Sequence, residues 1–205
     1  MAQPPVRVYY TCPFSQPAKE HLESLLSNVS EWTSFSSVPY NPAHNGLSPS
    51  QLFQHLGNTF SETSYALIAD QRTATELEGS APTDPTLTVA AAWQITPGDE
   101  WDLYRGPQDL DSMPEDQRIA LLRGLAEQRA NQEAQESGGE EWFWEPNSEQ
   151  RGIDAVLWQV KSVRADLAGA VYICSVYAVK DIRDMHLYFK RTADTSGGVF
   201  HPPAA

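Results

Sequence analysis

The chain has 205 residues and a mass of 22.8 kDa, enough for one domain with a substantial core and too little for two full-sized ones. Its 6 Trp, 8 Tyr and 7 Phe supply more ring surface than a disordered chain carries, and two cysteines exclude a disulfide-dense scaffold or a four-cysteine zinc site. With 14 basic residues against 27 acidic, the net charge is -13, and that field repels nucleic acid and anionic membrane alike.

Val6 to Tyr10, rich in β-branched and aromatic residues, predicts a first strand, and Thr11 to Ser15 a turn. A helix follows from about Gln16, with Leu22, Leu25, Leu26 and Val29 on one face. Ser34 to Ser48 reads as a loop. Ser48-Pro49-Ser50-Gln51 then opens a short helix to Leu56, with a Ser cap, a Pro in the first turn and Gly57 as the stop. Ser64 to Asp70 is a short apolar run ending in an acid, the pattern of a buried strand. Leu87 to Trp93 makes a third strand.

The composition then shifts. Residues 99–151 hold 14 acids against 5 bases, a net of -9, so most of the excess charge lies in a quarter of the chain. Pro114-Glu115-Asp116 starts a helix whose apolar stripe, Ile119, Leu122, Leu125 and Ala126, fades into a polar run from Gln128 to Gly139. Trp142, Phe143 and Trp144 follow between carboxylates. Ile153 to Val163 predicts a fourth strand. Val171 to Tyr177 has strand composition, while 165–179 also fits a buried helix. The tail from Thr192 is Gly- and Pro-rich.

Few motifs carry chemistry. The histidines 21, 44, 55, 186 and 201 show neither the helical i, i+4 spacing of a metal site nor a Cys/His cluster with zinc spacing, so no metal is expected. A Gly-x-Ser-x-Gly elbow and a phosphate-cradling loop are absent, and no cofactor is expected. Cys12 sits between a first strand and a first helix, where a helix N-terminus stabilises a thiolate, which makes it a candidate nucleophile. Cys12-Pro13-Phe14-Ser15-Gln16 locally resembles the monothiol motif of glutaredoxin-like and glutathione-transferase-like proteins. Those families pair the cysteine with a later Val-Pro; Val38-Pro39 lies too near the first helix to serve. Asp70 reads as a catalytic acid or as a turn former or helix cap. With Tyr10 and Cys12 it lies where open α/β sheets bind small molecules. Trp142, Phe143 and Trp144 read either as an exposed binding patch or as cover for the edge of the core.

The order of the pieces resembles an uncharacterised family of small acidic α/β proteins of bacteria and fungi. Tyr10 to Ser15 is similar to that family's first strand and Arg-Thr-Asp-Phe-Ser turn, with one extra residue and no Asp. Gly46-Leu47-Ser48-Pro49-Ser50-Gln51-Leu52 resembles its Gly-Leu-Thr-Pro-x-Gln-Leu, and Ile68-Ala69-Asp70 its Val-Ala-Asp strand end. Gly198-Val199-Phe200-His201 resembles its close. The family lacks the stretch from about Thr96 to Arg151 or keeps it short, and its Asn-Leu-Ser-x-Ala-Asn-Met-Asp run is degraded here over 173–181. The resemblance implies a layout and a helix over 165–179, and no activity.

The expectation is one compact α/β domain, residues 5–95 and 152–201, with a mostly parallel sheet of about four strands and an acidic, Trp-rich insertion at 96–151. Without signal, span or lipidation patterns, a soluble cytoplasmic protein is expected. The leading function is non-catalytic binding or interaction through the acidic, aromatic insertion, with a basic protein surface or a small molecule as the partner. The alternative is an enzyme, either using the Cys12 thiolate or holding a small molecule near Cys12 and Asp70.

Overall fold

A computed structural model describes residues 5–29, 33–57, 63–79, 84–95, 112–118, 120–121, 124, 140–144, 157–180 and 182–203. β1 (Val6–Tyr10) leads through a turn to α1 (Gln16–Val29). Ser15 opens that helix: its carbonyl accepts from the Lys19 N–H at 3.0 Å and its hydroxyl from the Ala18 N–H at 3.4 Å. Ala18, Leu22 and Leu26 are buried, while Val29, in the last turn, is exposed rather than on the buried face. The expected loop over 34–48 holds a three-residue strand, β2 (Phe35–Ser37), and one 3-10 turn at Pro42–His44.

α2 (Pro49–Leu56) ends at Gly57, whose φ of 56° is the left-handed conformation that stops helices. β3 (Thr63–Ala69) runs into α3 (Gln71–Glu78), a helix the sequence reading did not separate from its strand-to-strand connection. β4 (Thr86–Ile95), β5 (Glu140–Trp144) and β6 (Leu157–Asp166) complete the strands. The fourth predicted strand thus extends three residues beyond Val163, and 153–156 lie outside the described residues. α4 (Leu167–Tyr177) and α5 (Ile182–Thr195) close the chain. The segment over which strand and helix competed is helical. Asp166 caps it, accepting from the Gly169 N–H at 2.6 Å.

The fold is α/β, with one mixed sheet packed by helices, in the strand order β2-β1-β3-β4-β6-β5. Among the described residues the sheet has six strands where about four are expected, and it is mixed. β1 runs parallel to β2 (Val6 opposite Phe35) and to β3 (Tyr10 opposite Ala69), whereas β5 and β6 are antiparallel. β2 escaped the reading because three residues give too short a pattern for periodicity to register.

The chain groups into two compact units. The first joins 1–48, 65–91 and 162–205. Here α1 packs against both α3 and α4, and α4 against α5. β3 is buried continuously from Ala66 to Ala69, as a strand covered on both faces must be. Tyr9 and Tyr10 leave β1 on opposite faces and are both buried: Tyr9 meets His44 edge-on, and Tyr10 meets Phe14 at 5.0 Å. Gly169 sits so close to the chain end that an added Cβ would lie 2.7 Å from the Phe200 carbonyl oxygen. The second unit joins 49–64 and 92–161, and the stretch 96–151 falls wholly inside it. Within it α2 packs against β5, and Leu52 and Phe53 are buried. Glu115 to Arg118 form a helical turn after Pro114, as predicted; most of the rest of that helix is outside the described residues.

Candidate functional site

Two places gather the residues singled out by the sequence. The first is the pair of strand ends at β1 and β3. Parallel pairing sets Tyr10 opposite Ala69, and the Thr11 N–H continues the ladder onto the Ala69 carbonyl at 3.0 Å. Cys12 and Asp70 therefore come off neighbouring strands at the same end of the sheet. Cys12 is buried. Burial pushes its thiol pKa up, and the negative charges of Asp70 and Glu78 push it further the same way. Ser15, rather than Cys12, holds the capping position of α1. This environment disfavours the thiolate that nucleophilic chemistry requires.

Asp70 is occupied on both carboxylate oxygens. Oδ1 accepts from the backbone N–H groups of Arg72 and Thr73, at 3.1 and 3.2 Å, and so caps α3. Oδ2 accepts from Arg164 Nη2 at 2.5 Å. The Thr73 hydroxyl donates to the Thr86 carbonyl at 2.6 Å, and its oxygen receives the Asp70 N–H at 3.4 Å, closing a capping box. Arg164 Nη1 donates to the same Thr86 carbonyl at 3.2 Å. Glu76 then takes the Thr86 N–H at 2.6 Å and holds Arg72 Nε at 2.8 Å. Burial alone raises the Asp70 pKa, but the hydrogen bond and charge of Arg164, followed by the Thr73 bonds, outweigh it, and the carboxyl is held below its ordinary value. These contacts tie β3, α3, β4 and β6 together and leave Asp70 engaged as a cap and counter-ion.

Tyr10 completes the group at this end. It is buried, with its hydroxyl 3.0 Å from Ser37 Oγ and Lys19 Nζ 5.3 Å from its ring centroid. Its hydroxyl is thus engaged with β2, and its ring with Phe14 and with Lys19 of α1. The reading missed Arg164 at this end because no local pattern links it to Asp70, 94 residues away.

The second place is β5. The antiparallel register sets Glu140 opposite Lys161, Trp142 opposite Gln159, Phe143 opposite Trp158 and Trp144 opposite Leu157. Among the described residues β5 is the last strand in the sheet order, beside β6. On β6, Trp158, Gln159, Val160 and Lys161 are all buried, so that strand is covered on both faces.

A third polar group is enclosed in the helical layer. Tyr177 and His186 are buried, with the tyrosine hydroxyl 2.7 Å from His186 Nδ1. Tyr65 meets the Tyr177 ring edge-on at 5.8 Å. Burial first, and then the neighbouring Cys174, holds the Tyr177 proton far above its ordinary pKa. This is a hydrogen bond between two helices, sealed from solvent. Among the described residues no three His, Cys, Asp or Glu side chains gather as metal ligands, and no helix is long and apolar enough to cross a membrane. Comparison with known protein families, with curated proteins and with solved structures yields no match to this chain.

Proposed function

We propose that the chain is a non-catalytic binding protein that receives a basic partner on its second unit, through β5. The observation that carries this reading is the position of Glu140-Glu141-Trp142-Phe143-Trp144 on the strand that ends the sheet order among the described residues. A terminal strand keeps one side of its backbone open to a partner, and tryptophan is the residue type most enriched in binding hot spots. The surrounding segment, with its net charge of -9 over 99–151, selects for positive charge and speeds encounter with it.

The enzyme alternative draws less support. The Cys12 environment opposes a thiolate, and Asp70 has both oxygens engaged. Both cysteines are free and buried, which suits a reducing compartment such as the cytoplasm. The strand end at Ala69-Asp70 and the helix opening at Pro49 also fit the layout of the uncharacterised α/β family that the sequence resembles.

The test is fluorescence anisotropy with a labelled decapeptide of alternating Lys and Thr, at low salt. Saturable binding by the wild type is expected, with clear weakening in Glu140→Gln/Glu141→Gln and in Trp142→Ser/Trp144→Ser. Circular dichroism checks that both variants stay folded. No binding by the wild type, or equal binding by folded variants, overturns the reading.

A further inference from the structure

We infer that the end of β6 and the first turn of α4 form a socket for an extended peptide segment, one that carries an apolar residue, then Phe, then a basic residue, and that the chain's own Val199-Phe200-His201 fills this socket as a displaceable strap. The surface lies in the first unit and does not involve β5. The socket has three parts. The first is backbone: Ala165 pairs in parallel with Phe200, whose N–H donates to the Arg164 carbonyl at 2.8 Å and whose carbonyl accepts from the Asp166 N–H at 3.2 Å. Both backbone groups of one strap residue are thus bound, as in the addition of a strand. The second is a ring site: Phe200 is fully buried, edge-on to Phe189 at 5.1 Å and stacked with Tyr172 at 6.2 Å. The third is a carboxylate: Asp166 keeps Oδ1 on the Gly169 N–H at 2.6 Å and sets Oδ2 2.5 Å from His201 Nδ1. Gly169 leaves room for the passing backbone, because a Cβ there would meet the Phe200 carbonyl oxygen at 2.7 Å.

The hold on the strap is short. The strap follows α5 through Gly197 and Gly198, at φ 73° and 84°, and the Gly198 N–H still belongs to the helix end, donating to the Ala193 carbonyl at 2.9 Å. Two left-handed glycines make a hinge at which 199–203 can swing without disturbing α5. What holds the strap is two backbone bonds, the Phe200 ring and Val199, with a polar contact at the exposed side chain of His201, a surface interaction that contributes little. Breaking so few contacts is a local opening, far short of unfolding the unit. Charge then sets the occupant that displaces the strap. A lysine at the place His201 takes carries a full charge at neutral pH. The Asp166 carboxylate and the net charge of -13 both favour it. A second copy of the chain brings only the same histidine and the same excess of negative charge, so a basic segment of another protein is the better occupant.

The experiment uses the full chain, as wild type, Phe200→Ala and Phe200→Ala/Gly169→Ala, with the labelled peptide Ser-Gly-Val-Phe-Lys-Pro and two control peptides in which its Phe is Ala or its Lys is Glu. In anisotropy titrations Phe200→Ala, whose strap has lost its anchor, is expected to bind the peptide about tenfold or more tighter than the wild type, in which the strap competes. The double variant, in which a methyl meets the incoming backbone, should lose that gain, and both control peptides should bind about tenfold or more weakly. Equal binding by wild type and Phe200→Ala, or by Phe200→Ala and the double variant, overturns the socket, as does equal binding of the Phe and Ala peptides. Equal binding of the Lys and Glu peptides overturns the basic partner. If Phe200→Ala does not fold alone, the peptide should restore its circular dichroism signal and raise its melting temperature, since a ligand of the folded state stabilises it; no recovery overturns the socket.

Discussion

Replacing Asp70 tests whether this residue is a structural clamp. Asp70→Ala removes the cap from the Arg72 and Thr73 N–H groups, a loss of about 0.5–2 kcal/mol at typical helix N-termini. It also strips Arg164 of its counter-ion. The Arg164 side chain is 16% exposed and keeps its bond to the Thr86 carbonyl, so the pair lies between an exposed bridge, worth about 0–1 kcal/mol, and a fully buried one, whose breakage costs about 3–5. Together the expected loss is about 2–4 kcal/mol. Asp70→Asn keeps an oxygen to cap the helix and removes only the charge, so it should cost about 1–2 kcal/mol. Urea unfolding followed by circular dichroism, with hydrogen exchange of the α3 amides as the local readout, measures both variants. A double-mutant cycle with Arg164→Met isolates the ion pair. The pH dependence has a fixed sign. The folded-state pKa is lowered, so the contribution is complete above the unfolded carboxyl value, about 3.9, and is lost as pH falls through the lower folded value. The gap between wild type and Asp70→Asn should therefore close in acid. A loss under about 0.5 kcal/mol for Asp70→Ala at pH 7 refutes the clamp, because capping alone supplies at least that much.

Three further outcomes follow from the packing. Gly169→Ala drives a methyl to 2.7 Å from the Phe200 carbonyl oxygen and 2.9 Å from Asp166 Oδ1; it should destabilise by about 1–3 kcal/mol, and an unchanged melting temperature counts against the close approach. The Cys12 thiol should alkylate slowly at pH 7 and titrate above the usual value of about 8.5, and a faster, lower-pKa reaction lost in Cys12→Ser would reopen thiol chemistry. Tyr177→Phe leaves His186 Nδ1 without its hydroxyl and should cost about 1–3 kcal/mol in chemical denaturation; a neutral result would mean that this bond contributes no net stability.

The elements legible in the sequence were those whose signal is local and repeated. β1 announced itself by Val6-Arg7-Val8-Tyr9-Tyr10, α1 by leucines one turn apart, and α2 by a Pro in its first turn and Gly57 after its last. β3 and β4 showed as apolar runs because both their faces are covered. α3 was missed although its Asp-x-x-Thr cap stands in the sequence, because eight residues hold barely two turns of pattern. Residues 171–177 have β-branched and aromatic residues that fit strand or buried helix alike; Asp166 capping Gly169 and packing against α1 and α5 go with the helix.

Composition alone determined the net charge and the acid-rich stretch, since these are sums that folding leaves unchanged. The meaning of Cys12 and Asp70 belonged to tertiary structure. A cysteine before a helix is activated or silenced by its burial and by the charges around it; here burial comes first, and Asp70 and Glu78 add to it from elements far along the chain. An acid at a strand end is free or engaged according to whether a cation reaches it, and Arg164 arrives from 94 residues away. The place of Trp142 to Trp144 at the end of the sheet is likewise a matter of strand order, which depends on pairing between distant segments and on no property of the five residues themselves.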